Sequence, residues 1–149
     1  MAKQLFSRFC LEGLVDTLIL IGGLLHLATL LGSAQVPKEM NFKEELPKLN
    51  PLLRHWVLTA GGYIVLNIVA FGLVSIFFRS ELTSGQPLAR AICGFIAVFW
   101  GIRLVIQLFL FDAKPYLRNW FLTLGFHGLT IVFLYQTVVY GWAAIGSVS

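Results

Sequence analysis

Four runs of apolar residues constrain the fold of this chain more than any other feature. They cover about residues 11–32, 52–78, 89–111 and 118–145 of the 149-residue sequence. A helix of about 20 apolar residues crosses the hydrocarbon of a bilayer, whereas a barrel strand needs only about 10. Only helices or closed barrels satisfy their backbone polar groups in lipid. The sequence therefore predicts an all-α polytopic membrane protein, a single four-helix transmembrane bundle over residues 1–149 with mostly short connections.

The first run also resembles a cleaved signal peptide, because Gly32, Ser33 and Ala34 are small residues of the kind found at cleavage sites. Glu12 and Asp16 are acidic and lie where a signal peptide is purely apolar. We therefore expect the first run to be a retained membrane helix.

Charge is scarce and confined mainly to the connections. Charged residues make up 12% of the chain and the net charge is +4, whereas a soluble domain is about 25% charged. The cations lie mostly between the apolar runs, as at membrane boundaries, and not on one solvent face as in a nucleic-acid-binding protein. The sequence thus predicts contact with a lipid bilayer and no nucleic-acid partner.

The distribution of Lys and Arg gives a prediction of orientation. Loop one joins the first two runs, loop two the next two, and loop three the last two. The cations beside the N-terminus and loop two are Lys3, Arg8, Arg79 and Arg90, and those beside loops one and three are Lys38, Lys43, Lys48, Arg54, Lys114 and Arg118. Six against four favours loops one and three in the cytoplasm, although the first helix alone, with Lys3 and Arg8 before it, indicates the opposite.

One cation, Arg103, lies near the middle of the third run. A guanidinium in hydrocarbon costs several kcal/mol, with estimates from about 2.5 to above 10. With a rise of about 1.5 Å per residue, His26 in the first run and His127 in the fourth lie at a similar depth, on the side of loops one and three. The sequence predicts that these three side chains share one layer and face the interior of the bundle.

Each predicted helix also has a mildly polar stripe, and we expect these stripes to meet inside the bundle. The candidate cofactor-binding residues are His26, Arg103, His127, Tyr63, Asn67, Gln107 and Trp100. The simpler interpretation is packing, because hydroxyl, amide and imidazole groups bond neighbouring membrane helices to one another.

Small residues repeat every four positions on the third helix, at Ala89, Cys93, Ala97 and Gly101. Such residues allow two helix backbones to approach closely. The stripe predicts either packing within the bundle or contact with a second copy or a larger membrane complex.

Aromatic residues near the ends of the runs predict two interfacial belts. Trp56, Tyr116 and Trp120 are expected in one belt, with Tyr140 and Trp142 in the other.

Three classes of function are compatible with these features. A non-catalytic subunit or scaffold of a membrane assembly is favoured. A haem-, quinone- or lipid-binding protein is the alternative, because two histidines at matched depth can be axial ligands of haem iron and Arg103 can meet an anionic or carbonyl group. A small enzyme acting on a lipid-like substrate is the third, but no metal-ligand cluster, carboxylate pair or nucleophile beside a base supports catalysis.

Overall fold

The computed structural model describes residues 2–34, 36–39, 41–110 and 120–146, and within these ranges the chain is helical without strands. In chain order the helices are α1 (Ala2–Ser33), α2 (Val36–Glu39), α3 (Phe42–Glu45), α4 (Pro51–Phe77), α5 (Arg79–Thr83), α6 (Pro87–Val105) and α7 (Trp120–Ile145). A 3₁₀ turn, Leu46–Lys48, follows α3, and a π-helical turn, Ile106–Leu110, continues α6.

Four of the helical segments are long and apolar enough to cross a membrane: Gly13–Ser33, Pro51–Phe77, Pro87–Leu110 and Thr123–Ile145. The predicted four-helix transmembrane bundle is therefore confirmed. The boundaries agree closely with those expected from hydropathy, except that α1 begins at Ala2, well before the predicted start at residue 11. Residues 111, 118 and 119 of the predicted runs lie outside the described ranges.

Local sequence explains where two of these helices begin. Asn50 precedes α4, and its Oδ1 accepts a hydrogen bond from Leu52 N at 3.0 Å, which satisfies one of the free N–H groups of the first turn. Pro51 and Pro87 are the first residues of α4 and α6, a position where the missing N–H of proline is not needed.

The four spanning helices form a bundle in which α1 packs on α4 and α7, and α7 packs on α6. Glycines bring α1 and α4 together: a Cβ added to Gly23 would lie 2.8 Å from Ile76 Cγ1 and 3.1 Å from Gly72 O. Near loop two, Arg79 Nε pairs with Asp16 Oδ2 at 3.2 Å. This ion pair fastens the short α5 to α1.

Small residues on α6 pack inside this same bundle. Cys93 and Ala89 are buried, and a Cβ added to Gly101 would lie 3.5 Å from Thr137 Cγ2. Ala97 is likewise close to Gly141 of α7. Of the two interpretations of the stripe, packing within the bundle is correct for these residues, so the stripe is not a free surface for a second copy.

The packing is uneven along the bundle. Residues 51–66 of α4 are exposed except Val57 and Ala60, which are half-buried. The buried residues of α4 all follow this segment, between Ile68 and Ser75. The half of α4 next to loop one therefore stands away from the other helices, whereas the half next to loop two is packed.

Candidate functional site

The most buried polar side chain that the sequence singled out is His26 on α1, with none of its surface exposed. Trp100 Nε1 on α6 donates a hydrogen bond to His26 Nε2 at 2.9 Å. Nε2 is therefore the acceptor nitrogen, and the ring proton of the neutral imidazole lies on Nδ1. Nδ1 is 2.7 Å from Gly22 O, the carbonyl one turn earlier, to which it donates. Both ring nitrogens are thus engaged within the protein.

Gln136 brings α7 to the same point. Its Nε2 donates to Gly22 O at 2.9 Å and lies 3.0 Å from His26 Nδ1. Because both of the latter nitrogens carry hydrogen in this tautomer, the second contact is not a hydrogen bond. Gln136 Oε1 is buried without a hydrogen-bond partner among the described residues, so the amide is anchored through one end only.

Aromatic rings surround the imidazole. His26 makes edge contacts with Phe71 of α4, Trp100 of α6 and Tyr140 of α7, with ring centroids 5.4–5.8 Å apart. Tyr140 Oη donates to Ser75 Oγ of α4 at 2.6 Å. We name His26, Trp100, Gln136, Tyr140 and Ser75 the His26 cluster, and it contains side chains from all four spanning helices.

Tyr140 corrects one sequence prediction. It was expected in an interfacial belt, but it is fully buried because its hydroxyl is satisfied by Ser75 inside the bundle. Trp56, Trp120 and Trp142 are exposed, as a belt requires. Tyr116 lies outside the described residues.

Gln107 is the second predicted polar residue that is buried. Its Nε2 donates to Thr130 Oγ1 at 2.6 Å and to Phe126 O at 3.3 Å, both on α7. It therefore joins the ends of α6 and α7 nearest loop three.

Arg103 is exposed, so the bundle does not enclose it, and its orientation toward the bundle interior stays a prediction. Its guanidinium carbon lies 5.6 Å from the centre of the buried Phe133 ring on α7. It makes no ion pair or hydrogen bond within the described part of the chain. The side chain lies at the edge of the core because α4, which would cover it, stands away from α6 at this level.

His127 also departs from prediction, because it is exposed on α7. The buried positions of α7 are Phe133, Gln136, Val139 and Tyr140. At about 100° per residue, His127 lies roughly opposite their mean direction. It keeps the predicted side of the membrane but faces outward.

Tyr63 and Asn67 lie on the face of α4 that points toward α6. They precede Phe71 by eight and four residues, so the three share a face, and Phe71 contacts Phe95 and Phe99 of α6 at 5.8 and 5.2 Å. Tyr63 is 63% exposed. Asn67 is half-buried, and its Nδ2 donates to Tyr63 O at 2.8 Å.

Arg103 follows Phe99 by one helical turn on α6. α4 and α6 run in opposite directions, and Phe71 lies beside Phe95 and Phe99. Moving from this contact toward loops one and three, α4 presents Asn67 and then Tyr63, and α6 presents Arg103. Arg103 therefore lies near the level of Asn67 and Tyr63, in a region where Arg103 and Tyr63 are exposed and Asn67 is half-buried. We name this region the Arg103 gap.

The structure thus places six of the seven predicted site residues in two groups, and His127 belongs to neither. His26 and Trp100 are joined in the buried cluster, with Gln107 buried nearby, whereas Arg103, Tyr63 and Asn67 border the open gap. A haem held between His26 and His127 is not compatible with the outward position of His127. Any other cofactor role for these residues stays a prediction.

Gln136 and Ser75 were not among the residues predicted from the sequence, and Tyr140 was predicted in a belt. Gln136 and Tyr140 are spaced by four residues on α7, which is a signal of a shared polar face. That spacing alone does not show which face is buried, because Thr130 and Thr137 on the same helix give a competing stripe.

No known protein family, curated protein or solved structure matches this chain. The architecture defines its class: a multi-pass integral membrane protein built as a four-helix bundle.

Proposed function

We propose that this protein is a non-catalytic subunit of a membrane assembly, and that the Arg103 gap binds a transmembrane segment of a different chain. The single observation that supports this most strongly is that Arg103, a charged residue, is exposed at membrane depth. Arg103 lies about 7 Å beyond the midpoint of the Pro87–Leu110 span, from the helix rise.

The energetic argument is that the Phe133 contact does not offset the burial of this charge in lipid. An Arg near the middle of a membrane helix costs at least about 2.5 kcal/mol, whereas a cation–π contact contributes about 0.5–2 kcal/mol. Arg103 therefore needs a further partner with negative charge or carbonyl oxygen.

Tyr63, on the α4 side of the gap, also needs a polar partner. It lies at the middle of the Pro51–Phe77 span, and its hydroxyl has no hydrogen-bond partner among the described residues. Unpaired polar groups are costly in hydrocarbon. A partner segment in the gap could supply one acceptor to Tyr63 and a carboxylate to Arg103.

A lipid phosphate fits this gap less well than a carboxylate on a helix. Helical side chains lean toward the N-terminus of their helix, so Arg103 on α6 leans away from loop three, its nearer surface. Its contact with Phe133, about 1.5 Å from the midpoint of Thr123–Ile145 by helix rise, agrees with this direction. The guanidinium therefore points toward the bilayer centre, where headgroups do not reach.

A second copy of this chain fits less well than a different chain. Among acidic residues with described side chains, Asp16 is paired with Arg79, and Glu44, Glu45 and Glu81 lie in loops one and two. None lies at the depth of Arg103. The proposed partner segment therefore carries an Asp or Glu of its own.

The test is photocrosslinking in membranes of the native host. With a benzophenone amino acid at position 63, we expect an adduct with a membrane protein that has an Asp or Glu in the crosslinked spanning segment. The adduct should disappear in Arg103→Gln and persist in Arg103→Lys. Exchanging the charges, with Arg103→Glu here and Arg in place of the partner's carboxylate, should restore it.

The matched control places the same benzophenone at Leu134, which is exposed on α7. The proposal is wrong if positions 63 and 134 give the same adducts, if position 63 captures only lipid or a second copy, or if Arg103→Gln leaves the adduct unchanged.

We also propose that loops one and three face the cytoplasm, which is supported by the six cations beside them against four on the other side. Single cysteines introduced at Lys43 and at Ser84 of a Cys-free variant should show opposite labelling by an impermeant maleimide added to intact cells. Labelling at Lys43 alone would reverse the assignment.

A further inference from the structure

A groove lies between α4 and α6 on the loop-two side of Phe71. Its inner cavity, of about 390 Å³, is lined by Ala70, Phe71, Val74, Ala91, Ile92 and Phe95. Val74 and Ile92 also line a second cavity of about 530 Å³ that reaches loop two. The contact of Phe71 with Phe95 and Phe99 separates this groove from the Arg103 gap.

The two ends of the groove differ in chemistry. The inner cavity is entirely apolar, and Ala70, Ala91 and Phe95 at its margins are exposed, so it opens sideways to the bilayer. The outer cavity has a polar mouth made by Ser80, Glu81, Ser84 and Gln86. An apolar groove that ends in a polar mouth at the membrane surface matches an amphiphile.

The charge at the mouth specifies the headgroup. Glu81 is exposed and has no ion pair among the described residues, because neighbouring Arg79 pairs with Asp16. Glu81 Oε2 accepts from Ser80 Oγ at 3.0 Å, which leaves further acceptor capacity on the carboxylate. A cation with N–H donors complements it.

We infer that this groove binds a phospholipid with a primary amine in its headgroup, of the phosphatidylethanolamine type. One acyl chain lies against Val74 and Ile92, and the ammonium group binds Glu81. A choline headgroup carries the charge but lacks N–H donors. An anionic glycerol headgroup would be repelled by Glu81.

The dimensions favour a lipid chain over a helix. The rings of Phe71 and Phe95 are in edge contact, with centroids 5.8 Å apart, and close the groove at its inner end. The recess that remains, about 390 Å³, suits a flexible acyl chain better than a helix, which is about 10–12 Å wide with its side chains.

The test measures lipids that remain bound to the complete protein. It is reconstituted in vesicles of equimolar phosphatidylethanolamine, phosphatidylglycerol and phosphatidylcholine, extracted in detergent and analysed by native mass spectrometry. We expect phosphatidylethanolamine to be retained preferentially. Glu81→Gln should lower its retention relative to phosphatidylcholine about two- to five-fold, as expected for one exposed ion pair.

Two variants of α6 test the chain-binding part of the groove. Ala91→Trp fills the inner cavity and should remove retention of all three lipids, whereas Val98→Trp, exposed elsewhere on the same helix, should retain them. If Ala91→Trp is not monodisperse, Ala91→Leu is expected to give a partial loss. Equal retention of the three lipids by the wild type, or equal retention by the variants at positions 91 and 98, would overturn the inference.

Discussion

At the scale of single residues, the central feature is an imidazole that connects helices instead of reacting. His26 accepts from Trp100 and donates to Gly22, so its position depends on α6 and on its own helix at once. Gly22 is required at its position because a Cβ there would lie 2.8 Å from Tyr140 Oη, too close for the cluster to pack as it does. Because hydrogen bonds are directional, the cluster fixes the positions of the helices relative to one another.

We predict that His26→Leu and Trp100→Phe each lower the free energy of unfolding by about 1–3 kcal/mol, because each leaves a buried partner unpaired. The double variant should cost less than the sum of the two by about 0.5–2 kcal/mol. Reversible unfolding in mixed micelles measures all four species of this cycle.

The matched control is Gln136→Met in the same cluster. It removes one donor to Gly22 O, which keeps its bond from His26, and it also removes the unpartnered Oε1. Its effect should therefore be close to zero. Strict additivity of the His26 and Trp100 variants would show that the hydrogen bond does not couple them.

The depth of residues in the bilayer was predictable from the sequence. Whether a side chain points into the bundle or toward lipid was only partly predictable. Hydropathy and helix rise placed His26 and Arg103 on the same side of the bilayer midpoint, as the spans show. Facing depends on which polar stripe the neighbouring helices cover. His127 and Gln136 lie on different faces of α7, and only the packing of α1 and α6 selects Gln136.

At the scale of elements, the crossing of α1 and α4 depends on a pair of glycines. A Cβ at Gly23 would lie 2.8 Å from Ile76 Cγ1 and 3.1 Å from Gly72 O. The Ile76 side chain can move, but the carbonyl belongs to the helix backbone. The two helices would have to separate slightly to admit a methyl group.

We predict that Gly23→Ala lowers the free energy of unfolding by about 1–2 kcal/mol. Overpacking costs about 1–3 kcal/mol, and the higher helix propensity of Ala offsets at most about 1 kcal/mol of it. Gly13→Ala on the same helix meets nothing within 4 Å and should be neutral or stabilising. Equal effects at Gly23 and Gly13 in the same unfolding assay would contradict the close crossing.

The existence of the four spans followed from hydropathy, because long apolar runs leave few alternatives in lipid. The separation of the loop-one half of α4 did not follow from it. After Arg54 and His55, residues 56–66 contain no charged residue and are still mainly apolar, and lipid and protein are similar environments for such side chains. Apolar pattern alone therefore does not distinguish a packed helix face from a lipid-facing one.

At the scale of the whole molecule, more of the specific contacts between helices lie in the half of the bundle toward loop two, which we call the closed half, than in the other half, which we call the open half. The His26 cluster, the Gly23–Gly72 crossing and the Asp16–Arg79 pair lie between the bilayer centre and loop two or close to that centre. Arg103 and the exposed half of α4 lie toward loops one and three. The contacts of the closed half hold the helices in place, and Arg103, whose charge is unfavourable in lipid, lies in the open half.

This division leads to a prediction that separates a binding role for Arg103 from a structural one. In the isolated protein, Arg103→Leu should raise the free energy of unfolding by about 0.5–2 kcal/mol or more, because loss of a charge that costs at least about 2.5 kcal/mol in lipid outweighs loss of the Phe133 contact, about 0.5–2 kcal/mol. The same variant should lose the photocrosslinked partner at position 63. Arg54→Leu, at the exposed mouth of α4, is the control and should change stability by less than about 0.5 kcal/mol. Replacing a residue that stabilises its own bundle lowers the free energy of unfolding. A lower free energy of unfolding in Arg103→Leu would therefore show that Arg103 serves the fold and not a partner.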